Sequence, residues 1–269
     1  MGSIVVFLAL LGISLAAPAA PHDVHSASIL GGHRTYQGSF PFYVYLHSCG
    51  GSLITPIHVL TAAHCVSNDT VGTTVVMGLD NREEYEGVNG VQIRNVTAVE
   101  SHINFNMNDW HDDIAILVLD QPFEITNDVQ LVNIKSDDAE LQKQHWTTVI
   151  GFGLSEIING NQGVWPKYLQ YAYLPLIENE VCKKRWDNVW EKQLCAGAEK
   201  EGAGSGDSGG PMSVPAEDRN KYYQIGVVSY GSASVEEIKN QAKTPVVYTR
   251  TASYCDWLSE KTGGAFSCQ

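Results

Sequence analysis

From Pro41 onward the chain is built of short runs in which β-branched and aromatic residues cluster or alternate with polar ones. These runs fall at 42–46, 73–77, 91–99, 114–119, 147–150, 168–174, 222–228 and 245–249, and turn residues part them. A half-buried strand shows this alternation because its successive side chains point to opposite faces of the sheet. Many short strands so spaced predict an all-β protein of sandwich or barrel type, and pattern alone does not choose between the two. A last amphipathic segment, 254–261, predicts a C-terminal helix with Gly263 and Gly264 as its stop.

The beginning of the chain reads differently. Residues 1–15 are apolar with no charged side chain, and the run is too short to span a bilayer. Ala16 and Ala17 close it, so 1–16 reads as a secretory signal peptide. No other stretch is long and apolar enough to cross a membrane. Residues 17–28 hold two prolines, small residues and no apolar period, the mark of a short pro-segment. A secreted, extracellular protein is therefore expected.

Composition narrows the classes. The 269 residues suffice for one large domain or two modest ones, and 43% hydrophobic content supports a real core. A formal charge of −13 disfavours nucleic acid and anionic membranes as partners. Secretion makes Cys49, Cys65, Cys182, Cys195, Cys255 and Cys268 potential disulfides, with the pairing left open by spacing alone. No Cys-x-x-Cys or His-x-x-x-His spacing occurs, so no metal is expected. Sequons at Asn68 and Asn95 predict surface loops open to glycosylation.

Candidate chemistry centres on Gly206-Asp207-Ser208-Gly209-Gly210-Pro211. A hydroxyl needs a neighbouring base to become a nucleophile, and the oxyanion it creates needs pre-aimed backbone N–H groups. Gly206 and Ser208 are placed to supply them, and glycine at 206 leaves its amide unobstructed. The Gly-x-Ser-x-Gly match also fits a lipase or esterase elbow, whose histidine follows the serine. No histidine follows Ser208. The subtilisin order needs an acid before the histidine, and the only Asp before His64 is Asp23, in the pro-segment. What survives is His64 in Thr61-Ala62-Ala63-His64-Cys65, then Asp113 in Asp112-Asp113-Ile114-Ala115, then Ser208. Asp113 abuts the apolar run at 114–119 and is the better candidate for burial, while Asp112 reads as a solvated loop charge. His58, outside any motif, reads as structural.

With three motifs in this order, the chain resembles the chymotrypsin-like serine endopeptidases from Ile29 to about Trp257. The resemblance implies two six-stranded antiparallel β-barrels with a C-terminal helix. The N-terminal barrel would occupy about 29–135, and the C-terminal barrel and helix about 136–269, with the polar stretch 133–144 as the crossover. It implies disulfides Cys49–Cys65, Cys182–Cys195 and Cys255–Cys268. It also implies that Ile-Leu-Gly-Gly at Ile29 begins the mature chain, with the new α-ammonium paired to Asp207. Activity would need no cofactor. Partners would be protein or peptide substrates and an activating protease, and a monomer is expected.

The same resemblance places substrate main chain along Ser229-Tyr230-Gly231 and makes Gly202 the pocket floor, with Gly231 and Val246 as walls. Gly202 carries no charge and Val246 fills space, so small or medium uncharged residues are expected before the scissile bond. Glu201, Glu236 and Glu237 are the carboxylates able to change that by swinging in. Several features depart from the pattern. Gly204 stands where relatives carry a cysteine, and no cysteine occurs in 231–245, which predicts a looser pocket wall. Ser28 precedes Ile29 where many relatives have Arg or Lys, so the activator is not expected to be trypsin-like. Leu79 stands where calcium-binding relatives have an acid, so no calcium site is expected. The alternative to an enzyme is an inactive homologue acting as a binding or regulatory protein.

Overall fold

The apolar runs of the first half close on themselves. The computed structural model describes residues 29–158, 162–216 and 221–269, so the signal peptide and pro-segment expected over 1–28 lie outside the described residues. In chain order the first strands are β1 (His33–Arg34), β2 (Tyr43–Tyr45), β3 (Gly50–Thr55), β4 (His58–Thr61), β5 (Thr74–Met77), β6 (Gln92–Ser101) and β7 (Ala115–Leu119). Then follow β8 (Trp146–Gly151), β9 (Glu156–Ile158), β10 (Gln162–Val164), β11 (Gln170–Ile177), β12 (Gln193–Ala196), β13 (Pro211–Pro215), β14 (Tyr222–Tyr230) and β15 (Val246–Arg250). Strands β2-β3-β4-β7-β6-β5 form a closed antiparallel barrel, sealed where Tyr45 pairs with Val76. Strands β8, β11, β12, β15, β14 and β13 form a second one, sealed where Met212 pairs with Val149. Closure removes the exposed strand edges that invite aggregation.

Each barrel is filled by its own inward-facing side chains. Val44, Leu53, Val59, Val75, Met77 and Leu117 pack in the first, and Val149, Leu174, Met212, Val214, Ile225 and Tyr248 in the second. A larger cluster draws on both, with Tyr43, Tyr45, Leu60 and Ile114 from the first and Ile150, Phe152 and Val227 from the second. Burial of such side chains is worth about 1.5–3 kcal/mol each, which joins the two units into one body.

Both ends of the chain cross the expected division at 135. The N-terminal segment lies on the second barrel, where β1 pairs with β11 and Leu30 exchanges backbone hydrogen bonds with Gly202. Single helical turns α1 (Ala139–Gln142), α2 (Asn179–Cys182) and α3 (Val235–Ile238) lie in connections, and α4 (Cys255–Lys261) follows a 3-10 turn at Thr251–Tyr254. The helix expected over 254–261 thus begins as a tighter turn. Leu258 of α4 packs in the shared cluster, and Lys261 reaches Glu100 of β6 at 3.3 Å.

Several strands lacked a clear apolar run. β3 begins at Gly50-Gly51, where a Cβ on Gly51 would lie 2.8 Å from Val59 Cγ1, so close packing demands glycine inside the strand. β13 is bracketed by Pro211 and Pro215. Asn68 is exposed in a 3-10 turn, but Asn95 corrects the loop expectation. It sits on the exposed face of β6, and its Nδ2 donates to Asp120 Oδ2 at 2.7 Å.

Three disulfides join Cys49 to Cys65, Cys182 to Cys195 and Cys255 to Cys268. The last ties the start of α4 to the chain end, where Gln269 exchanges backbone hydrogen bonds with Ile134 and Ser136. Replacing Cys255 and Cys268 together by alanine should lower stability by about 2–5 kcal/mol in urea unfolding. An unchanged urea midpoint would show that the bridge contributes nothing.

Candidate active site

Strand register brings the first two site residues together. β4 pairs with β7 so that Thr61 faces Ala115, and the chain beyond each therefore meets. His64 sits in a 3-10 turn just after β4, and Asp113 lies two residues before β7. Asp113 is fully buried and its carboxylate is saturated with donors. The His64 backbone N–H donates to Oδ1 at 2.9 Å, the His64 ring Nδ1 lies 2.7 Å from Oδ2, and Ser229 Oγ donates to Oδ2 at 2.6 Å. A carboxylate accepts, so the ring carries a proton on Nδ1, and the partner of Nε2 among the described residues is Cys65 Sγ at 3.8 Å. A buried charge needs such partners. Ser229, expected only as part of the substrate edge, is also a support for Asp113.

Asp112 corrects the expectation of a solvated charge. It is 7% exposed because the far end of the chain folds over it. Tyr254 Oη donates to its Oδ1 at 2.9 Å, and His102 Nδ1 and Lys192 Nζ each stand 3.9 Å away. It belongs to a separate cluster from Asp113. His58 is buried and paired with Thr55 Oγ1 at 2.7 Å, and burial lowers its pKa.

The second barrel presents the serine. Ser208 lies in the turn before β13, and its carbonyl accepts from Gly50 N at 2.8 Å, next to the Cys49–Cys65 bridge that flanks His64. Those two sulfurs are bonded to each other, so the Cys49, His64, Cys65 grouping offers no thiolate to a metal. Gly209 has φ +75°, and a Cβ there would lie 2.2 Å from Thr61 Oγ1 and 2.6 Å from Gly50 O. Only glycine lets the turn press this closely on the first barrel. Gly206 has φ +91°, and a Cβ there would meet the Trp165 ring at 2.6 Å. Among the described hydrogen bonds neither Gly206 N nor Ser208 N donates to a protein acceptor.

Between these amides sits Asp207, fully buried. Its Oδ1 accepts from Gly153 N at 2.8 Å and its Oδ2 from Gly204 N at 2.9 Å. Burial raises its pKa to about 7, and the two backbone donors only partly offset this. No cation pairs with it among the described residues. Ile29 is also fully buried, in the second-barrel cluster with Ala203 and Val246.

A cavity of about 160 Å³ opens beside Ser208, lined by Ala203, Gly204, Ser229, Gly231, Gln241 and Val246 among others, none of them charged. A Cβ on Gly231 would lie 3.0 Å from Val246 Cγ2, so the valine narrows the slot toward that wall. Gly202 is not itself the exposed floor. The Gln241 side chain lies over it, with Oε1 1.8 Å from where a Cβ on Gly202 would stand. Noncovalent ties lie around the wall from which the bridge is absent. Arg185 donates to both carboxylate oxygens of Glu237, Trp186 Nε1 donates to Pro245 O at 2.7 Å, and Gln241 Nε2 donates to Ala203 O at 2.7 Å. Glu237 is thereby held outside the cavity, and neither Glu201 nor Glu236 lines it. Sequence reasoning also passed over Trp110, whose ring meets His64 edge-on at 5.3 Å and Tyr230 at 5.6 Å. Its place three residues before Asp113 was the available signal.

Two barrels with this site between them define a serine endopeptidase, a hydrolase. The chain belongs to the trypsin family, whose family model, described as Trypsin, matches residues 29–258. It is similar to chymotrypsin-C of Rattus norvegicus, 34% identical over 91% of this chain and 92% of that protein. It is also similar to chymotrypsin-C of Mus musculus, 34% identical over 88% and 89%. A venom protease of Bombus pensylvanicus is 31% identical over 85% and 96%. Among the described residues no helix is long and apolar enough to cross a membrane.

The Asp207 environment makes a pH prediction for the uncleaved chain. Its folded pKa lies above the unfolded value of about 3.9, so the folded state binds more protons between the two. Stability from this group is complete below about pH 4 and falls as pH rises toward 7, by roughly 4 kcal/mol at most. Asp207→Asn should flatten that part of the curve in urea unfolding from pH 4 to 8. A parent curve with the same slope as the variant contradicts this environment.

Proposed function

We propose that this chain is a secreted zymogen of a serine endopeptidase, monomeric, activated by cleavage between Ser28 and Ile29. Ser208 Oγ attacks the peptide carbonyl while His64 Nε2 takes its proton. The oxyanion is held by the N–H groups of Gly206 and Ser208. Asp113 keeps the ring in its Nδ1–H tautomer and stabilises the imidazolium. His64 then protonates the leaving amine, and water releases the acyl group by the reverse path. The observation that carries this reading is the Asp113 carboxylate, buried and held by His64 and Ser229 beside the serine turn.

Cleavage after Ser28 creates an α-ammonium at a residue whose side chain is already in the second-barrel core. Asp207 is fully buried with no cation partner among the described residues, and pairing would restore its ordinary ionisation and hold Gly206 in register. The uncharged, valine-narrowed cavity supports cleavage after small or medium uncharged residues. Hydrophobic pockets separate neighbouring aliphatics by only about 1–3 kcal/mol per methylene, so a broad profile is expected. An activating protease that does not require Arg or Lys fits Ser28.

Ser208→Ala should cost at least about a thousandfold in kcat on a peptide substrate and leave urea stability unchanged. Ordinary hydrolysis by that variant would remove Ser208 from the mechanism. N-terminal sequencing of the active form should read Ile-Leu-Gly-Gly, and full activity in a protein that retains residues 17–28 would overturn the zymogen reading.

A further inference from the structure

The segment that delivers Asp113 has a strained backbone. Trp110 has φ +59° and Asp112 has φ +55°, and neither is glycine. Left-handed backbone is uncommon at any other residue and a marked outlier at a bulky one such as tryptophan. Each such residue disfavours its conformation by roughly five- to hundredfold, and persists only where its surroundings enforce it. The pairings of β7 with β4 and with β6 begin at Ala115, so neither ladder reaches 110–113. The carbonyls there are met from the second barrel instead. Gln193 Nε2 donates to Trp110 O at 3.0 Å, and Thr249 Oγ1 donates to Asp113 O at 2.8 Å. The two donors face one another across β12 and β15, so their side chains leave the same side of the sheet. Both are buried. Trp190 N donates to Gln193 Oε1 at 3.4 Å, and a carbonyl can only accept, so Nε2 is the atom that faces Trp110.

We propose that Gln193 and Thr249 are positioning residues, which hold the main chain at Trp110 and Asp113 so that the Asp113 carboxylate meets His64 Nδ1. This rests on the peptidase reading above and deepens it. Neither side chain touches the reacting atoms. Ser229 holds the Asp113 carboxylate and Tyr254 the Asp112 side chain, which leaves the main-chain carbonyls to these two donors. Without the Thr249 hydroxyl the Asp113 carbonyl is a buried acceptor left unpaired, and its peptide turns toward another donor. Asp112 then relaxes from its left-handed angle, and the carboxylate one residue on leaves its 2.7 Å contact with His64. Loss of the Gln193 amide frees the Trp110 carbonyl in the same way.

The test compares the cleaved parent protein with three variants. Thr249→Val and Gln193→Met remove the donors at nearly constant volume, and Thr249→Ser keeps the hydroxyl. One readout is the low-field 1H NMR signal of the His64 Nδ1 proton, which reports the bond to Asp113 without turnover. The other is kcat and KM on a peptide with an uncharged aliphatic residue before the scissile bond. Thr249→Val and Gln193→Met should weaken or lose the signal and lower kcat by about tenfold or more, with KM within about twofold of the parent. Thr249→Ser should keep the signal and at least about a third of the parent kcat. If Thr249→Val does not fold, Gln193→Met decides. A lower urea midpoint with signal and kcat at parent values would make the two residues structural only and overturn the proposal. A parent without the signal, or a Thr249→Ser as impaired as Thr249→Val, overturns it as well. A parent that shows the signal but cleaves no peptide removes the peptidase reading, and the hold on Asp113 is then judged by the signal alone.

Discussion

A buried carboxylate without a counter-charge governs this molecule. Asp207 stands between the two amides that would receive the oxyanion, and among the described residues only the backbone N–H groups of Gly153 and Gly204 donate to it. Its neighbours leave no room for adjustment. A Cβ on Gly151 or Gly153 would lie within 2.0–2.4 Å of the carboxyl atoms, so the chain there must be glycine. A charge so placed either takes a proton or gains a cation. In our account the cation is the new N-terminus at Ile29, which makes peptide-bond cleavage a switch for the oxyanion site.

In our account the catalytic groups are divided between the two barrels. Histidine and aspartate are set by the pairing of β4 with β7 in one barrel, and the serine turn by the approach to β13 in the other. Their relative placement then depends on the shared cluster and on the contact of Gly209 with Thr61 and Gly50. Both chain ends reach across this junction. The segment around Leu30 and β1 binds the second barrel, Tyr254 of the 3-10 turn covers Asp112, and Lys261 of α4 forms an ion pair with Glu100 of β6 in the first. Such crossings tie the two barrels more firmly than an interface of loops would.

Much of this was legible in the sequence, and the rest was hidden for physical reasons. His64, Asp113 and Ser208 stood out by their motifs and chain order, since the lipase-elbow and subtilisin orders both fail around Ser208. Eight strands announced themselves by β-branched and aromatic runs. β3 and β13 did not, because close approach of backbones placed glycine and proline where a pattern expects bulk. The burial of Asp112 depends on Tyr254, 142 residues away, and no local pattern reports such a contact. Gln241 was invisible as a pocket residue because a loop folds its side chain back over Gly202. The one clue was indirect, in that the absent disulfide left a gap that some side chain had to fill.

The coupling of cleavage to catalysis is tested most directly at Ser208 itself. A fluorophosphonate probe would be applied to the purified protein before and after scission between Ser28 and Ile29, with the labelled residue located by peptide mapping. The account predicts stoichiometric labelling at Ser208 alone in the cleaved protein and labelling slower by orders of magnitude in the uncleaved one. Equal labelling rates in the two forms would contradict it.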